Sequence, residues 1–283
     1  MFWTRLISGI VLIILAVITL WFGGYVTGVV TMLLSLIGVF ELMRVYKVEQ
    51  KIPGIAAYIW TVLYYVVLMT GHKEFLMPVL VTYMLVVLAI YVFTFPKYHD
   101  KEIMAAFFSF YYVSVMLSYV YQLRIMEDGG YFIVLVFLCS WGNDTLAYCF
   151  GRLFGKHKMS PILSPKKSVE GLIGGILGAG VLGLLYGLWF NNYVHEISKL
   201  PLIFLVICAV GAIPAVVGDL AASAIKRNNE VKDYGKLIPG HGGVMDRFDS
   251  MIFTAPIIFA ASSISSSRGI MADLWGMVTF QPR

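Results

Sequence analysis

Gly218-Asp219-Leu220-Ala221-Ala222-Ser223-Ala224-Ile225-Lys226-Arg227 runs through Asn228 to Ile238 and into Pro239-Gly240-His241-Gly242-Gly243-Val244-Met245-Asp246-Arg247-Phe248-Asp249-Ser250. Five acidic residues, five lysines and arginines and one histidine fall within these 33 positions, in a chain that is otherwise mostly hydrocarbon. If Asp219 to Arg227 is helical, Asp219, Ser223, Lys226 and Arg227 stand at i, i+4, i+7 and i+8 and share one face. Asp246, Asp249 and Ser250 stripe a second helix in the same way. The Pro-Gly-His-Gly-Gly run between them must turn, because glycine adopts backbone angles that other residues avoid. Two helices with acidic faces joined by a basic loop suit a metal and phosphate site; the plainer alternative is a solvated loop whose acids pair with its lysines. Asp219 follows an apolar run, and an ion near membrane depth is functional by default.

Working outward, the chain has 283 residues, 59% hydrophobic and only 13% charged, with a mean hydropathy of +0.83. A soluble domain carries about a quarter charged residues, so the fold class is an all-α polytopic integral membrane protein. A helical crossing needs about 20 apolar residues, and about nine segments qualify: 6–22, 25–43, 55–70, 75–95, 103–122, 131–150, 169–190, 201–225 and 248–266. The first lacks a small-residue cleavage site and leads straight into more membrane, so it reads as a retained anchor. Cytoplasmic loops carry the excess of lysine and arginine. With the N-terminus cytoplasmic and the C-terminus outside, 16 of the 21 fall on the cytoplasmic side, and the other side receives only Lys73, Arg124, Lys199, Arg268 and Arg283. The expected home is the cell (inner) membrane, with both charge-rich loops facing the cytoplasm. The pI of about 9.0 expresses that bias and gives no reason to expect a nucleic-acid partner. Cys139, Cys149 and Cys208 lie in apolar segments without CxxC spacing and read as small buried hydrophobes.

The chain divides at about residue 125. Residues 1–125 form a bundle of five spans with almost nothing polar inside them and no visible chemistry; Trp60, Tyr64, Tyr65, Tyr111 and Tyr112 read as interface anchors or packing. Residues 126–283 hold spans six to nine, with cytoplasmic loops 151–170 and 226–248. In span six, Asp144, Tyr148, Gly151 and Arg152 repeat the spacing of Asp219 to Arg227, and Asp144 sits deeper than an unpartnered ion would. In the loop that follows, Ser168 is placed to cap the next helix. Lys166 and Lys167 therefore stand at a helix N-terminus, where free N–H groups already favour an anion. Span seven carries Gly171, Gly174, Gly175, Gly178, Gly180, Gly183 and Gly187. Its GxGxxG match has no strand before it, so the spacing reads as close helix packing. Gly211 and Pro214 break span eight shortly before Asp219, as helices do where they line a cavity.

Three carboxylates, Asp144, Asp219 and Asp246, stand among cytoplasmic cations with no convincing nucleophile. Oxygen-only ligands favour Mg²⁺ over zinc, and the histidines lack zinc spacing. No Walker A motif is present. Mg²⁺ on separated aspartates flanked by lysines is what phosphoryl or nucleotidyl transfer requires. A lipid phosphate is already an anionic nucleophile, so no general base is needed.

The run from Ser223 through Lys226-Arg227, Lys232-Asp233, Gly235, Ile238-Pro239, His241-Gly242-Gly243 and Asp246-Arg247 to Asp249 resembles the signature of the phosphatidate cytidylyltransferases, or CDP-diacylglycerol synthases, over 27 positions. A second block, Asp144, Ala147-Tyr148, Gly151-Arg152, Gly155-Lys156, Ser160-Pro161 and Ser164 to Gly171, is similar to the same family. The resemblance implies a membrane enzyme, a homodimer, that makes CDP-diacylglycerol and pyrophosphate from CTP and phosphatidate with Mg²⁺, with room for a second, monovalent cation (K⁺). By position it implies metal ligands Asp219 and Asp246 and a catalytic set of these two with Lys167, Lys226 and Arg227. The implied substrate-binding set is Asp144, Tyr148, Arg152, Lys156, Ser164, Lys166, Ser223, Lys232, Asp233, Lys236, His241, Gly242, Gly243, Arg247 and Asp249. A CTP-dependent lipid kinase would use similar parts but attack the γ-phosphorus. A transporter would show inverted repeats, whereas here the charges cluster in one half.

Overall fold

The computed structural model describes residues 2–126, 128–191 and 199–266. Each expected segment is helical: α1 (Phe2–Phe22), α2 (Gly24–Val45), α3 (Ile52–Thr70), α4 (Leu76–Phe93), α5 (Asp100–Arg124), α6 (Gly129–Phe154), α7 (Val169–Phe190), α8 (Leu200–Asn228) and α9 (Met245–Ser266). Seven, α2 to α8, are long and apolar enough to cross a membrane. The apolar part of α1, Leu6–Phe22, is shorter, and α9 opens on Asp246, Arg247 and Asp249. Arg268, Arg283 and the C-terminus lie outside the described residues.

Local chemistry sets the helix ends. Pro53 and Pro201 stand in the first turns of α3 and α8, where a missing N–H costs nothing. Gly71 closes α3 with φ 79°, its N–H donating to the Leu68 carbonyl. Two helices carry a π-helical turn, Phe110–Val115 in α5 and Leu138–Gly142 in α6. The second ends just before Asn143-Asp144; such turns shift the face that a helix presents.

In the N-terminal bundle, buried hydroxyls answer one another across helices. Ser35 meets Tyr65 at 2.8 Å, Thr61 meets Ser114 at 2.7 Å, and the Tyr83 hydroxyl donates to the Ala106 carbonyl at 2.7 Å. Tyr64, Tyr65 and Tyr112 are buried, so packing is the role these aromatics take.

The glycines of α7 form two rails. A Cβ on Gly174, Gly175 or Gly178 would strike Phe150, Asn143 or Leu146 of α6, at 2.3 to 2.5 Å. On Gly183 it would meet the Phe204 carbonyl of α8 at 2.5 Å and the Cys208 sulfur at 2.7 Å. One helix thereby draws α6 and α8 in close from both sides, and these are the helices that carry Asp144 and Asp219.

Candidate active site

Pro214 lies inside α8 and removes a rung of the helix hydrogen bonding one turn before Asp219. At Gly218 the helix presses so closely on α9 that a Cβ would stand 2.6 Å from the Asp249 carbonyl. This close approach brings two acidic helix ends together. The Asp219 carboxylate is ion-paired with Lys167, and Ser223, one turn on, donates to it at 3.4 Å. The Ser250 hydroxyl lies 3.2 Å from Asp144 Oδ2 and 3.5 Å from Asp249 Oδ1, and the Ser250 N–H donates to Asp249 at 2.8 Å. The charges of Asp144, Asp219 and Asp249 act on one another; Lys167 offsets the first two and Lys226 the third. Three helices thus contribute one carboxylate each to a single polar centre.

Asp246 stands apart from that centre. It is buried, and its Oδ1 accepts from Lys226 Nζ at 2.8 Å. Its Oδ2 accepts from the backbone N–H groups of Tyr234 at 2.8 Å and Gly243 at 2.9 Å. The Lys226 ammonium also lies over the Tyr234 ring, 5.3 Å from its centroid. Burial pushes the Tyr234 phenol well above its ordinary value, so it stays protonated and donates to the Ala222 carbonyl at 2.9 Å. Asp246 therefore ties the loop to the start of α9.

The turn between α8 and α9 is closed by the Ile238 N–H on the Gly242 carbonyl at 2.8 Å, with Gly240 and Gly242 at φ 77° and 90°. Those left-handed angles are why glycine stands at both. His241 Nδ1 lies 2.7 Å from the Ser8 hydroxyl of α1. Around this turn opens a cavity of about 580 Å³ lined by Lys232, Asp233, Lys236, His241, Gly242 and Arg247. Arg247 Nε is buried without a hydrogen-bond partner in the protein. A basic cavity with an unspent guanidinium donor fits a phosphate-bearing ligand.

The loop after α6 contains strands that its sequence reading did not name. Lys158–Ser160 (β1) and Ser164–Ser168 (β2) form a short antiparallel hairpin, with Ser160 opposite Ser164. Alternation along β2 sends Lys167 to Asp219 and leaves Lys166 exposed. Ser168 caps α7 as expected, accepting from the Gly171 N–H at 3.1 Å. Glu170 takes the N–H groups of Lys156 and His157 at 3.1 and 3.2 Å. Arg227 Nε reaches the Leu163 carbonyl at 3.5 Å, so the end of α8 holds the hairpin at two points. Arg152 contacts Tyr148, which is 66% exposed, and these two with Lys156 and Lys166 stand outside the cavity and the acidic centre.

Among the described residues, no three His, Cys, Asp or Glu side chains form a ready metal cage. The donors of the acidic centre are nonetheless all oxygen, which suits Mg²⁺ in kind. Asp219 fits a ligand role, since its partners are an exchangeable lysine and a long serine contact. Asp246 fits it poorly, because both its oxygens are already engaged.

The sequence reading passed over three residues of the N-terminal bundle that reach this region. Glu41 and Arg44 of α2 bond the loop backbone, and Ser8 meets His241. The signal for Glu41 was present: a carboxylate inside an apolar span, the feature that singled out Asp144.

Comparison with known proteins gives the family. A profile described as "Cytidylyltransferase family" matches residues 3–265. Proteins named phosphatidate cytidylyltransferase from Staphylococcus haemolyticus and Staphylococcus epidermidis are 31% and 32% identical over 257 and 259 residues, covering 90% of this chain and 96% of each relative. The protein of that name from Staphylococcus aureus is 30% identical over 262 residues, with the same coverage.

Proposed function

The chain belongs to the cytidylyltransferase family, and from that premise we propose how its own residues carry the reaction. It is a nucleotidyltransferase that joins CTP and phosphatidate into CDP-diacylglycerol and pyrophosphate, in a multi-pass membrane protein. A phosphate oxygen of phosphatidate attacks the α-phosphorus of CTP, and the bond from that phosphorus to the bridging oxygen of the β-phosphate breaks. The attacking oxygen is already anionic, so no side chain need remove a proton.

The observation that carries this reading is the first turn of α9, which belongs to both halves of the site. Arg247 lines the basic cavity, and Asp249 two residues on belongs to the acidic centre. CTP phosphates in the cavity would meet Lys232, Lys236 and Arg247. Lys167 and Arg227, at the hairpin, would meet charge at the reacting phosphorus, and Lys226 would serve by holding Asp246 and α9 in place. Asp219, with Asp144 and Asp249, would hold Mg²⁺, which when bound neutralises phosphate oxygens and favours departure of pyrophosphate. The excess of lysine and arginine on one side supports a site facing the cytoplasm of the cell membrane. A homodimer remains the expected assembly.

The test is turnover by the purified full-length protein with phosphatidate, Mg²⁺ and CTP labelled at the α-phosphorus. Label is expected in lipid, with a loss of about 10²- to 10³-fold in Asp219→Ala, the scale of removing one preorganised charge-stabilising group. Lipid labelled from γ-labelled CTP instead would make the enzyme a lipid kinase.

A further inference from the structure

The loop that carries the signature residues is gripped by a helix of the other half of the molecule. Glu41, three residues before Arg44 and on the same side of α2, is buried. Its Oε2 accepts from the N–H of Met245, the first residue of α9, at 2.9 Å. A helix N-terminus presents N–H groups without intrahelical partners and favours negative charge, so a buried carboxylate there acts as a cap supplied from outside the helix. Arg44 donates to the Tyr234 carbonyl. The same peptide segment is held from the other side by Asp246, through the N–H groups of Tyr234 and Gly243.

Two glycines depend on this contact. A Cβ on Gly235 would stand 2.0 Å from Glu41 Oε1, and one on Gly243 would stand 2.3 and 2.4 Å from the two carboxylate oxygens. Neither glycine has a positive φ. The lack of a side chain at Gly243 therefore answers the presence of Glu41, and that at Gly235 answers Glu41 together with the Gly243 Cα, 2.9 Å from the Cβ position. Between them lie Lys236, His241 and Gly242, which line the basic cavity, and two residues after Met245 comes Arg247.

We propose that Glu41 is a positioning residue of the reaction: it caps α9 from α2 and fixes the 234–247 segment so that the cavity presents Lys236 and Arg247 to the CTP phosphates. It touches no substrate. The inference rests on the cavity being the CTP site, so its test has one arm that involves no turnover.

Glu41→Ala, Gly243→Ala and the double variant are made in the full-length protein, with Glu41→Gln as the variant that keeps the volume and one acceptor oxygen. In the assay, Glu41→Ala is expected to raise KM for CTP about tenfold, the factor that loss of a helix cap represents, with KM for phosphatidate within about twofold. Glu41→Gln should fall between it and the wild type. Gly243→Ala alone should be at least as impaired, and the double variant no worse than Gly243→Ala, because the methyl group then has room. In the second arm, tryptic cleavage after Lys232 and Lys236 is timed without substrates, and Glu41→Ala should be cut several-fold faster. An unchanged KM for CTP, fully additive losses in the double variant, or an unchanged cleavage rate would overturn the proposal. If Glu41→Ala does not yield folded protein, Glu41→Gln decides by the same criteria. Faster cleavage with no cytidylyl transfer in the wild type would uphold the cap and sink the reaction assigned above.

Discussion

The two halves of the molecule bury polar groups in opposite ways. From α1 to α5 the buried groups are mostly neutral hydroxyls, and apart from that of Tyr112 they are satisfied by a neighbouring hydroxyl or carbonyl, as in Ser35 with Tyr65 and Thr61 with Ser114. From α6 to α9 the distinctive groups are carboxylates, Asp246 and Asp249 buried and Asp144 and Asp219 half-buried, with Lys167 facing Asp219 and Asp144 and Lys226 facing Asp246 and Asp249. A hydroxyl pair is neutral and closed, so it stabilises a fold and attracts nothing. A surplus of buried carboxylates is costly unless something positive arrives. The first arrangement is that of a scaffold, and the second that of a binding site.

The contrast can be broken most forcefully at Lys226, the cation paired with buried Asp246. Lys226→Met leaves Asp246, 3% exposed at its side chain, without its countercharge. The expected loss is about 3–5 kcal/mol, read as a fall in the detergent unfolding midpoint, and Asp246→Asn in the same chain should return part of it. Next comes the helix that brings the charged elements together. Gly183→Ala forces a methyl group onto the Phe204 carbonyl and is expected to cost about 1–3 kcal/mol by overpacking. Activity should fall with stability there, since α6 and α8 are pushed apart. The smallest effect belongs to the neutral half: Tyr65→Phe strands the Ser35 hydroxyl and is expected to cost about 1 kcal/mol. Its turnover per folded molecule should stay at the wild-type value, and a tenfold fall there would erase the distinction between scaffold and site.

The helices were legible because hydrocarbon runs announce themselves at any register, and Asp144, Asp219 and Lys226 because charge is conspicuous among them. Hairpin β1–β2 was not legible. Ser164-Pro165-Lys166-Lys167-Ser168 has little intrinsic preference for extended structure, and its docking on Asp219 and Arg227 holds it there. The resemblance implied a metal-ligand role for Asp246 by position, but neither position nor spacing speaks of the backbone N–H groups that fold back onto its oxygens. Asp249 joins Asp144 through Ser250 across 106 residues of chain, and a periodicity reads only its own helix. Glu41 showed itself as a carboxylate in an apolar span, but its partner, 204 residues on, was hidden by the same kind of distance.

The bond from Glu41 to the Met245 N–H also has a meaning in time. Its partners are 204 residues apart, and a ribosome adding about 5–20 residues each second leaves Glu41 waiting roughly 10–40 s for the amide that will donate to it. During that interval the carboxylate must stay at a membrane surface or borrow a proton or a lysine. The scaffold can therefore be inserted and packed early, while the site is completed only when α9 arrives.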